Sequence, residues 1–125
     1  MKISTRIPTI YLILKKKFGV QWDKGIIITY GDTIYCKYKI SPDLEVHEAT
    51  HIKQQADYGV KEWWERYIVD APFRLSQELE AYKTQAEWIR KHSNNQKFLL
   101  EKIWTDISSS IYGNMITYEE AKKLI

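Results

Sequence analysis

The chain has 125 residues, enough for one compact domain (1–125) with a single core, and its 5 Trp and 9 Tyr supply large apolar surfaces to build it. A formal net charge of +3, with 19 basic and 16 acidic residues interspersed along most of the chain, argues against an obligate nucleic-acid binder. No stretch approaches the ~20 apolar residues that span a bilayer, and the single cysteine, Cys36, excludes an internal disulfide and suits a reducing cytoplasm.

Near the N-terminus, Lys2 and Arg6 followed by apolar residues faintly imitate a secretory signal. The apolar segment from Ile7 to Leu14 is short, contains Pro8 and ends in Lys15-Lys16-Lys17 without a small-residue cleavage site, so a signal peptide is not expected. Pro8 to Phe18 instead reads as a first helix stopped by Gly19, with the three lysines as a solvated end that complements the helix dipole. Next, Ile26–Tyr30 and Thr33–Tyr38 are β-branched and aromatic runs joined by Gly31-Asp32, the pattern of an antiparallel hairpin. In the second run Ile34, Cys36, Tyr38 and Ile40 alternate with Thr33, Tyr35, Lys37 and Lys39, which puts the first set on the core side and makes Cys36 a buried small hydrophobe.

Ser41-Pro42-Asp43 opens a helix with Ser at the N-cap and Pro at the first helical position, and Gly59 closes it. At about 100° per residue, Gln54 and Tyr58 project near His47 and His51, while Ala49, Ile52 and Ala56 project opposite; one face is expected to pack and the other to hold ligands. Further helices are expected over Lys61–Val69, Pro72–Lys91 and Gln96–Ser109. The adjacent Trp63 and Trp64 cannot share a face of the first of these, and Phe98, Leu99, Ile103 and Trp104 form the apolar side of the last. Gly113-Asn114 marks a turn, and Thr117-Tyr118-Glu119-Glu120 is a capping box that starts a terminal helix through Leu124. The fold class is α+β, mainly α, without repeats or linkers.

His47-Glu48-Ala49-Thr50-His51 matches H-E-x-x-H. Residues four apart on a helix lie one above the other, so two imidazoles can grip one metal ion while Glu48 stands beside it, placed to take a proton from a water the metal activates. A catalytic zinc needs a third protein ligand, and Asp57, Glu78 and Glu80 compete. Asp57 stands where H-E-x-x-H-x-x-G-x-x-H proteases place theirs, but Gln54 replaces the Gly that turns the chain back there, which leaves Asp57 out of reach on a continuing helix. On the long helix with the stripe Leu75, Leu79, Tyr82, Ala86 and Ile89, Glu78 falls about 60° from the stripe centre and Glu80 about 140°, so Glu78 is favoured to face inward, with Glu80 as the alternative.

These residues resemble the gluzincins, zinc metallopeptidases in which H-E-x-x-H is completed by a Glu on the next major helix. Glu78-Leu79-Glu80-Ala81-Tyr82 looks like their E-x-E-A-(D/N) signature, with Tyr82 in place of Asp or Asn, and the likeness covers about residues 42 to 90. In size, with a hairpin before the motif helix, the chain is similar to minimal single-domain, zincin-like members and to small metallopeptidase-like proteins encoded by phages and prophages. The resemblance implies one Zn2+ per chain on His47, His51 and Glu78, Glu48 as general base, and a peptide or protein substrate cut by a metalloendopeptidase, in a host cytoplasm if the chain is phage-encoded. Tyr58, Tyr67, Arg74, Tyr82 and His92 are candidates to stabilise the oxyanion, and an exposed edge of the strand carrying Tyr35 and Tyr38 could bind an extended peptide. Neither nucleic acid nor a membrane is expected as partner. The rival reading is a zinc-stabilised, catalytically silent interaction protein, for example a phage effector that binds a host factor; a basic nucleic-acid binder built on Lys15–Lys17 is the weaker rival.

Overall fold

A computed structural model describes residues 1–125 as an α+β fold that is mainly α, with six helices and one three-stranded sheet. Strand β1 (Lys2–Ser4) is followed by α1 (Tyr11–Phe18), a short 3-10 turn (Trp22–Lys24), and the hairpin strands β2 (Ile27–Tyr30) and β3 (Thr33–Cys36). The helices α2 (Pro42–Tyr58), α3 (Val60–Val69), α4 (Ala71–His92) and α5 (Gln96–Ile107) come next. A second 3-10 turn (Ser110–Tyr112) then leads to α6 (Tyr118–Leu124).

The hairpin forms as its sequence predicts, with Gly31 at φ 65° as the first central residue of its two-residue turn. The three-residue β1 was not expected. It pairs parallel with β3, so the sheet order is β1-β3-β2 and β3 is central. Both edges of β3 are therefore covered, which overturns the expectation that a peptide could add to the strand of Tyr35 and Tyr38. The alternation also stops early. Ile34 and Cys36 are buried, but the strand ends at Cys36 and Tyr38 is 55% exposed, its hydroxyl donating to the Asp23 carbonyl at 2.9 Å. Helix α1 is shorter than expected because Pro8 to Ile10 form a turn, in which the Tyr11 amide donates to the Pro8 carbonyl at 3.0 Å.

Helix α2 inverts the expected faces. Its buried residues are all polar, namely Asp43, His47, Glu48, His51, Gln54 and Gln55, whereas Ala49 and Ala56 are exposed and Ile52 is half-buried. The polar side packs because α4 answers it with its own buried polar groups, Glu78 and Gln85. The Ser41 hydroxyl does not cap the helix backbone as expected; it donates to the Asp43 carboxylate at 2.7 Å. Gly59, at φ 105°, is the only residue between α2 and α3, a conformation that favours glycine.

Trp63 and Trp64 face different neighbours, as adjacent helical residues must, and both are buried. Helix α3 lies in a crevice, with Trp64 stacked on Tyr30 of the sheet at 6.5 Å and Trp63 edge-on to Phe73 of α4 at 6.2 Å. Asp70 caps α4 by accepting from the Phe73 amide at 3.0 Å. In α5, Ile103 and Ile107 carry the packing and Phe98 is exposed. The capping box of α6 is complete, with reciprocal bonds between Thr117 and Glu120 at 3.0 and 3.1 Å.

The apolar core is in two parts. One joins Tyr11, Leu14, Trp22 and Ile28 to Trp63, Trp64, Tyr67 and Phe73; the other joins Tyr82, Ala86, Ile89, Ile103, Ile107, Ala121 and Ile125. They meet at the histidines, where Tyr82 lies edge-on to His47 at 4.3 Å and Trp63 edge-on to His51 at 5.5 Å.

Candidate metal centre

One turn of α2 separates His47 from His51, and α4 brings Glu78 to both. The two Nε2 atoms are 3.1 Å apart, and Glu78 Oε1 lies 3.2 Å from each. Tetrahedral zinc with ligands at about 2.0–2.1 Å sets ligand atoms about 3.3 Å apart, so this nearly equilateral triangle fits such an ion. All three residues are buried, and their ligand atoms could hold a metal ion. Of the other two candidates, the out-of-reach Asp57 and the alternative ligand Glu80, both are exposed and lie outside the cluster.

Both imidazoles are held by glutamines. His47 Nδ1 lies 3.0 Å from Gln85 Oε1, and His51 Nδ1 lies 2.8 Å from Gln54 Oε1. The amide orientations are not arbitrary, because each Nε2H2 group faces a carboxylate: Gln85 donates to Asp43 at 2.8 Å, and Gln54 to Glu80 at 2.9 Å and to the Gln77 carbonyl at 3.0 Å. An amide oxygen only accepts, so each Nδ1 carries a proton, and once His51 has released its second proton both rings can turn an Nε2 lone pair into the triangle. Gln85→Leu is therefore expected to weaken zinc binding by about 10–100-fold in a chelator competition, with the fold retained by circular dichroism.

The remaining oxygen of Glu78 accepts from the Tyr67 hydroxyl at 2.6 Å. Burial works against a charge on Glu78, but the contacts with His51 and His47 win and hold its carboxyl far below the usual range. Burial likewise opposes a charge on His51, yet Glu78 beside it, with Glu48 and Gln54, lifts its pKa to about 9 in the metal-free chain. In the metal-free chain the charge of Glu78 is thus matched by the proton on His51, and a bound cation would take that proton's place.

Glu48 is placed by the sheet. Its Oε1 accepts from Thr29 Oγ1 of β2 at 3.0 Å, and its Oε2 lies 3.7 Å from His47 Nε2. Burial raises its pKa above the ordinary carboxylate value, despite the opposing histidines. Gln55 ties the same strand to α2, donating to the Thr29 carbonyl at 2.8 Å and accepting from the Gly31 amide at 2.7 Å. Two spaces border His47 and Glu48: a chamber of about 60 Å³ that also takes in His51 and Glu78 and is backed by Trp63, Trp64 and Tyr67, and an open cleft of about 380 Å³ that reaches Lys24, Leu44 and Lys102.

The oxyanion candidates separate. Tyr58 does not approach the histidines; it is 45% exposed and accepts from Arg66 at 3.1 Å. Arg74 is committed to the carbonyls of Tyr67 and Tyr112, at 2.6 and 2.9 Å, and His92 is exposed beside Trp88. Tyr67 serves Glu78, and Tyr82 packs on His47 with its hydroxyl 2.7 Å from that of Tyr112. Sequence reasoning missed Thr29, Asp43, Gln85 and Tyr112. Asp43 lies four residues before His47, and Gln85 seven after Glu78, so helical spacing alone could have placed both on the ligand faces.

Comparison with protein-family models, curated proteins and solved structures returned no match. The molecule's own geometry defines the site. On that geometry it is a buried His-His-Glu cluster able to hold a metal ion, with a second carboxylate alongside.

Proposed function

We propose that the chain is a zinc-dependent metallopeptidase acting on a peptide or protein. The observation that carries this reading is the triangle of His47 Nε2, His51 Nε2 and Glu78 Oε1 with Glu48, a buried carboxylate of raised pKa, at its side. Zinc is favoured over harder cations because two of the three donors are imidazole nitrogens. When bound, the ion would supply Lewis acidity and lower the pKa of a water to about 7.

Glu48 then has the protein's part of the chemistry. It takes the proton of the attacking water and returns it to the leaving amine, a dual role that its raised pKa suits. Thr29 orients it through Oε1, leaving Oε2 on the side of the histidines. The open cleft gives an extended chain access to these groups, and the smaller chamber, lined by His47, His51, Glu48 and Glu78, has room for the attacking water. The resemblance to gluzincins, carried by H-E-x-x-H and Glu78, supports the same reading.

The test is digestion of a proteome-derived peptide mixture by the zinc-loaded chain, read by mass spectrometry. Cleavage that stops on chelation and returns with zinc is expected. Stoichiometric zinc without any cleavage would favour the silent interaction protein instead.

A further inference from the structure

We infer that the outer face of α1, with the segment leading into it, docks on an anionic membrane surface. This does not rest on the metallopeptidase reading.

The charge of the chain is unevenly placed. Residues 1–24 hold Lys2, Arg6, Lys15, Lys16, Lys17 and Lys24 against a single acid, Asp23, so that segment is +5 and the rest of the chain is −2. Arg6, Lys15, Lys16 and Lys17 are all exposed and none makes an ion pair, whereas Lys2 is 3.8 Å from Asp32.

The same segment exposes apolar side chains. Met1, Ile3, Ile7, Leu12 and Ile13 are five of the twelve large hydrophobic residues left exposed in the whole chain, all within its first thirteen positions. Leu12 is 72% and Ile13 53% exposed. On α1, Tyr11 and Leu14 are buried in the core. Around the helix from Tyr11, Leu12, Lys16, Ile13 and Lys17 follow at about 100°, 140°, 200° and 240°, so aliphatic and cationic side chains interleave across the outward face. From sequence, Lys15–Lys17 reads as a solvated helix end; the exposure of Leu12 and Ile13 among them is the additional observation.

This interleaving selects the partner. At a protein interface the lysines around Leu12 and Ile13 would lose water, and lysine is depleted there. At a bilayer of anionic lipid the aliphatic tips enter the acyl boundary while the ammonium groups stay among the phosphates. Nucleic acid would meet the charges but leave the aliphatic tips unused, and no aromatic side chain lies on this face for bases to stack on. No helix is long and apolar enough to cross a membrane, so the contact is peripheral. Gly19, Gln21 and Lys24, which follow α1 directly, line the open cleft.

Co-sedimentation of the full chain with vesicles tests this. Binding to phosphatidylcholine vesicles in which about a third of the lipid is phosphatidylserine should exceed binding to phosphatidylcholine alone by about tenfold or more near 0.1 M salt, and should fall as salt rises. Leu12→Ser with Ile13→Ser, and separately Lys15→Glu, Lys16→Glu and Lys17→Glu together, should each reduce it about tenfold. All five side chains are exposed, and circular dichroism checks that the variants fold. Equal binding to both vesicle types, or variants that bind like the parent chain, would overturn the inference. So would a concentration-dependent dimer that is abolished by the Leu12/Ile13 changes in a chain that ignores vesicles, since the face would then belong to a second copy.

Discussion

Zinc titrated into the purified, metal-free chain should bind at about one ion per molecule, and His47→Ala or Glu78→Ala should remove most of that affinity. Structural zinc sites bind with apparent free energies of about 10–16 kcal/mol near neutral pH. Losing one of three protein ligands should forfeit roughly a third of that, about 3–5 kcal/mol, or two to four decades in the dissociation constant. The pH dependence follows from His51, which holds a proton up to about pH 9 in the metal-free chain and must release it to coordinate. Affinity should therefore rise about tenfold per pH unit through neutrality and flatten above pH 9.

The metal-free fold should show the opposite trend. His51 titrates at about 9 when folded against about 6.5 when unfolded, so its stabilising contribution is full below 6.5 and is lost as pH rises through 9. Glu78, whose pKa is depressed on folding, contributes above about 4.5 and loses that contribution as acid is added. Calorimetric titration in buffers of different ionisation heat reads the released proton directly. Retention of full zinc affinity in Glu78→Ala would show that the third ligand lies elsewhere.

The second large effect is expected for Glu48→Gln. The amide preserves shape and can still accept from Thr29, so folding and zinc stoichiometry should be unchanged, while peptide cleavage should fall by about 10²–10⁴-fold because the site loses its base. Residual activity equal to that of the parent chain would remove Glu48 from the chemistry. If cleavage is absent in both proteins and zinc is present in both, the interaction-protein reading is the one left. In that case Glu48→Gln should leave biological activity unaltered.

The site was legible from sequence wherever its geometry is local. His47 and His51 are one turn apart on any helix, and the wheel angle that separates Glu78 from Glu80 depends only on which residues of α4 are apolar. The structure brings His47, His51 and Glu78 together and leaves Glu80 outside, bonded to Gln54. The hairpin and the α6 capping box were legible for the same reason. What could not be read depends on partners far along the chain. The Gln85–Asp43 bond spans 42 residues, and without it the rule that apolar faces pack sends Ala49, Ile52 and Ala56 to the wrong side of α2. Trp63 and Trp64 are both buried because α3 has neighbours on two sides, which no periodicity within α3 encodes. Strand β1 is three residues long and too short to show an alternation.

The polar packing of α2 against α4 also limits how this protein can change over generations. Gln54 and Gln85 each stand between a histidine and a carboxylate, so losing Gln85 strands two buried groups, and losing Gln54 strands His51, Glu80 and the Gln77 carbonyl. A single apolar replacement leaves unpaired donors or acceptors at about 1–3 kcal/mol for each buried group, whereas a concerted exchange of both partners can be nearly neutral. Converting this layer to ordinary apolar packing would need several coordinated substitutions, each unfavourable alone. A descendant would be held near the same residues whether or not it had any use for a metal, so the motif can persist on packing alone.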